Sequence, residues 1–176
     1  MKQLTQNIFL VGLMGVGKTT VARRLARELK AAAIDVDALL HRQHGVIAKL
    51  LYKKVGEASF REYERIALRD AAKMGPAIIS CSDGCVSTPQ GRSDLQTLGF
   101  AIYLASSSDA AYSRIRSFKT RPLLAEGVDA HEIAQERIPQ LEAVAQAIIE
   151  VEGKSTMRIV EEICHILDDR GLYGEQ

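Results

Sequence analysis

A chain that runs Ile8-Phe9-Leu10-Val11 into Gly12-Leu13-Met14-Gly15-Val16-Gly17-Lys18-Thr19-Thr20, and then into Val21-Ala22-Arg23-Arg24-Leu25-Ala26, has few ways to fold. The apolar run reads as a buried strand, and Val21, Ala22, Leu25, Ala26 and Leu29 recur at helical spacing. Between them lies G-x-x-x-x-G-K-[ST]. Its glycines let the backbone curl so that successive N–H groups and a helix N-terminus point at phosphate oxygens. Gly12, Gly15, Val16, Gly17, Lys18, Thr19 and Thr20 are therefore expected to hold a nucleotide's phosphates, with Lys18 reaching the β- and γ-phosphates and the Thr19 hydroxyl on Mg²⁺.

Strand, loop and helix of this kind open an α/β domain, and the 176 residues suffice for one such domain with a sizeable core. A formal net charge of +1 gives no electrostatic footprint for nucleic acid or acidic membranes. No apolar run approaches the roughly 20 residues of a membrane span. The N-terminus enters its first strand without the apolar region of a signal peptide, so a cytoplasmic protein is expected. Cys81, Cys85 and Cys164 show no C-x-x-C spacing and read as reduced thiols. His41, His44, His131 and His165 have no spacing that joins them to a metal set.

Further strands are predicted at Ala31–Asp37, Ala77–Cys81, Phe100–Ala105 and Ile148–Val151, each followed by helical pattern. The second closes in Asp35 and Asp37, which alternation places on one side if the strand continues. Helices are expected over 38–44, 46–54 and 57–73, from Thr88-Pro89 to about Leu98, and from Ser108 or Asp109 through Arg116. A helix from Asp129 to about Ala147 is expected to kink or break at Pro139, and one capped by Ser155 to end near Leu167. Residues 169–176 read as a frayed tail. The alternating order argues a five-stranded parallel sheet with helices on both faces, its ligands at the carboxyl edge.

A phosphate loop alone is compatible with a GTPase switch, a motor or a kinase. The guanine-reading Asn-Lys-x-Asp segment of a switch does not occur after the fourth strand, and a motor is ordinarily larger. Asp83, after the third strand, offers one acid that can hold Mg²⁺ through water.

The assembled residues resemble the shikimate kinase family. The resemblance runs from Ile8 to about Val151 and rests on five motifs in register: Gly12 to Thr19; Asp35-Val36-Asp37; Gly56-Glu57-x-x-Phe60-Arg61-x-x-Glu64; the basic stretch with Arg121-Pro122-Leu123-Leu124; and Glu136-Arg137-Ile138-Pro139. It implies a three-layer P-loop kinase fold as a single domain over 1–176, with a short lid at about 116–127. It also implies a monomer that transfers the γ-phosphoryl of ATP, with Mg²⁺, to shikimate or a similar carboxylated polyol in aromatic amino-acid biosynthesis. By the same resemblance Asp37 binds the acceptor hydroxyls and accepts the proton, while Asp35 holds the metal through water. Arg61 and Arg137 grip the acceptor's carboxylate, Gly84 lets the backbone approach it, Arg121 closes from the lid on the transferring phosphate, and Arg114 stacks on adenine. The chemistry agrees: guanidinium forks suit a planar carboxylate, and a carboxylate opposite the phosphate loop suits orienting an attacking alcohol. On residue type alone, Asp37 can equally cap a helix, and Arg61 can be one half of an i,i+3 surface pair with Glu64.

Two places depart from the family pattern. Ser82-Asp83-Gly84 stands where the family has Gly-Gly-Gly, and Pro139-Gln140-Leu141 where it usually has Pro-Leu-Tyr. An inward-pointing Asp83 would repel an acceptor carboxylate by about 4 kcal/mol at ~4 Å and an effective dielectric near 20, before screening. Turned outward it would be solvated; turned to the metal it would serve as the acid that ends this strand in nucleotide kinases. These departures leave two other readings open: a kinase for a different acceptor, including a nucleotide or nucleoside, and a nucleotide-binding relative without turnover.

Overall fold

The computed structural model describes residues 3–115 and 127–175. Among them β2 (Asn7–Val11), β3 (Ala32–Asp35), β4 (Ala77–Ser80), β5 (Gly99–Ala105) and β6 (Ala147–Glu150) form one sheet in the order β3-β4-β2-β5-β6, every neighbouring pair parallel. This is the five-stranded α/β architecture expected from the alternating pattern. The central strands β2, β4 and β5 are buried at every residue, as strands covered on both faces must be, which accounts for their unbroken apolar runs.

The period-two alternation of β2 assigns its side chains to two cores. Phe9 and Val11 pack on one face with residues from α2 (Val36–His44), α3 (Ala48–Val55), α4 (Glu57–Lys73), α5 (Pro89–Thr97), α6 (Ser108–Tyr112) and α7 (Ala130–Val144). Ile8 and Leu10 pack on the other with α1 (Lys18–Glu28) and α8 (Thr156–Asp169). Helix α1 docks through Val21, Ala22, Leu25 and Ala26, the stripe read from the sequence.

Asn7 ties the lower end of this sheet together. Its Nδ2 donates to the carbonyls of Ala72 (2.9 Å) and Leu98 (3.1 Å), and its Oδ1 accepts from the Ala77 N–H (3.2 Å). Asn7→Leu leaves three backbone groups without these partners, so we expect a loss of about 2–3 kcal/mol of stability. For a domain of this size that is roughly 5–10 °C in Tm, to be read from a thermal melt.

Four local expectations are corrected. The second strand stops at Asp35, which caps α2 by accepting from the Ala38 N–H (3.0 Å), so Asp37 lies in the first helical turn and is not the cap. Helix α6 is capped by Ser107 and ends at Tyr112, leaving Arg114 beyond it. Helix α7 runs unbroken through Pro139, because Pro139 and Gln135, whose carbonyl loses its donor, both lie on the exposed face where water serves that carbonyl. It ends at Val144, since Ala147 already belongs to β6. The segment after α8 is not frayed: Leu172 is buried, and β7 (Tyr173–Gly174) pairs antiparallel with β1 (Gln3–Leu4). Gly171, at φ 65°, turns the chain out of α8 so that Leu172 and Tyr173 can cover the core, an apolar pair that a solvated tail has no use for. The lid expected at 116–127, with Arg116, Lys119 and Arg121, lies outside the described residues except for Gly127.

Candidate active site

The strand order places the phosphate loop at the carboxyl end of the central strand, between the ends of β4 and β5, where open α/β sheets bind ligands. Gly15 has φ 79° and backs onto the Ala111 carbonyl so closely that a Cβ has no room, which requires glycine there. The Lys18 ammonium lies over the loop, donating to the carbonyls of Gly12 (2.7 Å) and Leu13 (2.9 Å). Val16 is buried beneath the loop, Gly17 precedes α1 with φ 104°, and Thr20 is exposed on the first turn. Arg114 reaches the loop's rim, its Nη1 3.4 Å from the Val16 carbonyl.

In the first turn of α1, the Thr19 hydroxyl donates to Asp35 Oδ2 (2.6 Å) and stands 3.3 Å from Ser80 Oγ. The parallel register explains the meeting, since Asp35 pairs with Ser80 and Ser80 with Leu10. The set is all oxygen and suits a hard divalent cation. No group of three or more His, Cys, Asp or Glu placed to hold a metal ion occurs among the described residues, so a Mg²⁺ here would take its other ligands from phosphates and water, its usual habit.

Across the crevice, the loop after β4 meets α4, α6 and α7. Arg61 and Glu64 form the i,i+3 pair anticipated from the sequence, but it is no surface pair: Nη1 donates to Oε2 at 2.6 Å, and the side chains are 10% and 5% exposed. Burial lifts the Glu64 carboxyl above the usual carboxylate range, against the pull of Arg61 and of a hydrogen bond from Ser82, while Asp37 nearby adds to the rise. Burial also works against the charge on Arg61, but Glu64, Glu57 and Asp83 outweigh it and the guanidinium stays charged. Arg137, 3% exposed, donates through Nη1 to Glu136 (2.8 Å) and Gln140 (3.2 Å). Gly84 lies under the Arg61–Glu64 pair so tightly that a Cβ would overlap both side chains.

Four buried side-chain atoms have no hydrogen-bond partner among the described residues: Arg61 Nε, Arg137 Nε, Asp83 Oδ1 and the Tyr112 hydroxyl. They belong to one place. Asp83 acts electrostatically on Arg61 and Tyr112, and Arg137 acts on Tyr112. Asp83 is half-buried with its Oδ1 turned inward and acts on Arg61 and Tyr112, whereas Thr19 pairs with Asp35 and Ser80. Asp37 and Lys18 both act on the buried Cys81 thiol, which links the acceptor side to the phosphate loop. Cys81, Cys85 and Cys164 are free thiols.

Sequence reasoning singled out Asp37, Arg61, Gly84 and Arg137, and the structure brings them to this crevice. It did not find Glu64 as a buried acid, Ser80 beside Thr19, or the Tyr112 hydroxyl. Glu64 had a signal, since it falls on the apolar stripe Phe60–Glu64–Ala67–Leu68 that α4 buries.

Fold and loop together put the molecule among the P-loop kinases. A family model described as shikimate kinase matches residues 14–168, and the chain belongs to the shikimate kinase family. It is 29% identical over 174 residues to the shikimate kinase of Haemophilus influenzae, covering 96% of this chain and 97% of that protein. Against the shikimate kinase of Bordetella pertussis the identity is 33% over 159 residues, covering 89% and 75%. The structure of shikimate kinase from Acinetobacter baumannii in complex with shikimate superposes with a TM-score of 0.88 at 28% identity, covering 95% of each chain.

Proposed function

We propose that the protein transfers the γ-phosphoryl of ATP to a hydroxyl of shikimate, with Mg²⁺ as the metal. The observation that carries this reading is the pair of buried guanidinium groups whose Nε–H groups have no hydrogen-bond partner among the described residues, that of Arg61 having only Glu57 at 3.8 Å. Two such donors suit a planar carboxylate, and the buried setting makes each worth more than it would be in water.

The residues divide the work accordingly. Backbone N–H groups from Gly12 to Thr20 cradle the phosphates, and Lys18 leaves the loop carbonyls to neutralise the charge on the transferring group. Mg²⁺, held by the Thr19 hydroxyl and through water by Asp35, supplies neutralisation of phosphate charge when bound. Arg61 and Arg137 bind the acceptor's carboxylate, so that its ring hydroxyl lies by Asp37, which orients it and takes its proton. Arg114 packs on the adenine and Arg121 contributes from the lid. We read the protein as a cytoplasmic monomer free of nucleic acid and membrane. A formal net charge of +1 supports this, and no described helix is long and apolar enough to cross a membrane.

A coupled assay for ADP tests the reading directly, with Mg-ATP and shikimate, gluconate or a nucleoside side by side. We expect shikimate-dependent ADP release well above that with the other acceptors. No release above background with shikimate would overturn the assignment.

A further inference from the structure

Two of the four unpaired atoms are not accounted for by a carboxylate. Arg61 Nε and Arg137 Nε are donors and suit one. Asp83 Oδ1 is an acceptor that repels one, and the Tyr112 hydroxyl can donate or accept. Asp83 opens the short helical turn Asp83–Val86, and Tyr112, 7% exposed, ends α6. Tyr112 packs edge-on against His131 of α7, with ring centroids 6.3 Å apart, and shares its core with Leu141. Where the family usually carries a tyrosine on α7 this chain therefore has a core leucine, and a hydroxyl enters the pocket from α6 instead. Burial, then the charge on Asp83, push the Tyr112 phenol upward, with Arg137 pulling it down, so it remains an O–H donor.

An unpaired, buried carboxylate oxygen between Arg61 and Tyr112 needs a hydrogen-bond donor, not a second anion. Asp83 acts on Arg61 and Arg137 on Tyr112, so a carboxylate held by the two arginines brings the carbon that bears it toward Asp83 and Tyr112. Resting on the reading of the arginines above, we propose that Asp83 and Tyr112 form a second polar subsite that takes a hydroxyl on the carboxylate-bearing carbon, so that the enzyme accepts α-hydroxy carboxylate polyols as well as shikimate. In such an acceptor the hydroxyl stands between the two carboxylates, donating to Asp83 and accepting from Tyr112, and offsets the repulsion that Asp83 exerts on shikimate. The transfer is otherwise the same: a ring hydroxyl oxygen bonds to the γ-phosphorus, the bond from that phosphorus to ADP breaks, and the hydroxyl proton passes to Asp37.

Quinate is the probe, because it has a hydroxyl on the carbon bearing its carboxylate and keeps ring hydroxyls for transfer. The wild-type chain, Asp83→Gly and Tyr112→Phe are each assayed for ADP release with shikimate and with quinate, and the phosphorylated products are identified by mass spectrometry. We expect quinate turnover by the wild type. Asp83→Gly should lower kcat/KM for quinate about ten- to a hundredfold and raise it for shikimate, reversing the preference. Tyr112→Phe should lower it for quinate about three- to tenfold. A general loss of packing cannot move the two acceptors in opposite directions. Shikimate turnover without quinate turnover in the wild type would overturn the subsite, as would a quinate-to-shikimate ratio untouched by both substitutions. Quinate turnover without shikimate turnover would overturn the shikimate assignment and leave the subsite standing.

Discussion

Lys18→Met should reduce kcat for shikimate phosphorylation about 10³-fold, the scale of losing a preorganised charge on an oxyanion in a water-poor site. Methionine keeps the length and removes the ammonium, whose two hydrogen bonds in the structure go to the carbonyls of Gly12 and Leu13. Those bonds hold the cation over the loop, from which, on the reading proposed above, it turns to the transferring phosphate. The fold loses something too: Gly12 and Leu13 are buried, and leaving their carbonyls without the donor costs about 1–3 kcal/mol. A thermal melt should therefore fall by roughly 3–10 °C, leaving the protein folded at assay temperature, while ADP release collapses. A kcat within tenfold of the wild type would remove Lys18 from the chemistry.

The loop was legible because all its determinants are local. Six residues of spacing, a strand before and a helix after are enough to specify a backbone conformation, and Gly15 at φ 79° fulfils it. The sheet was legible for a similar reason, since unbroken apolar runs separated by amphipathic helices admit little but a covered parallel sheet. The acceptor side was not. Nothing in the spacing of Arg61, Asp83, Tyr112 and Arg137 shows that four elements bring them together; family resemblance points to both arginines, but the charge balance around them depends on burial. Arg61 and Glu64 look on paper like an exposed helical pair, and only packing under α4 turns them into a buried ion pair with a raised carboxyl. The acids of Asp35-Val36-Asp37 also separate only in three dimensions. One caps α2 and accepts from Thr19, the other lies two residues further on and acts on Glu64, so two acids of the same type point to different partners.

The position most sensitive to a single methyl group is Gly84. Its neighbours above are the Arg61 guanidinium and the Glu64 carboxylate, and a Cβ added there would overlap both. Neither can retreat easily. Arg61 is held by Glu64 at 2.6 Å, Glu64 is enclosed by the core of α4, and the Ser87 hydroxyl ties the Gly84 carbonyl down at 2.7 Å. Gly84→Ala must therefore displace the guanidinium that we propose reads the acceptor carboxylate, and misplacement of a positioning group by about 1 Å costs on the order of a hundredfold. We expect kcat/KM for shikimate to fall by that factor, mostly through KM, while nucleotide affinity measured by calorimetry stays within a few fold, because the phosphate loop is built on β2 and α1 and does not use this turn. The split distinguishes displacement from unfolding. If Gly84→Ala left the shikimate KM unchanged, Arg61 would not be the residue that reads the carboxylate. Ser82 and Asp83, which replace glycines in the same turn, would then be tolerated because no acceptor passes there.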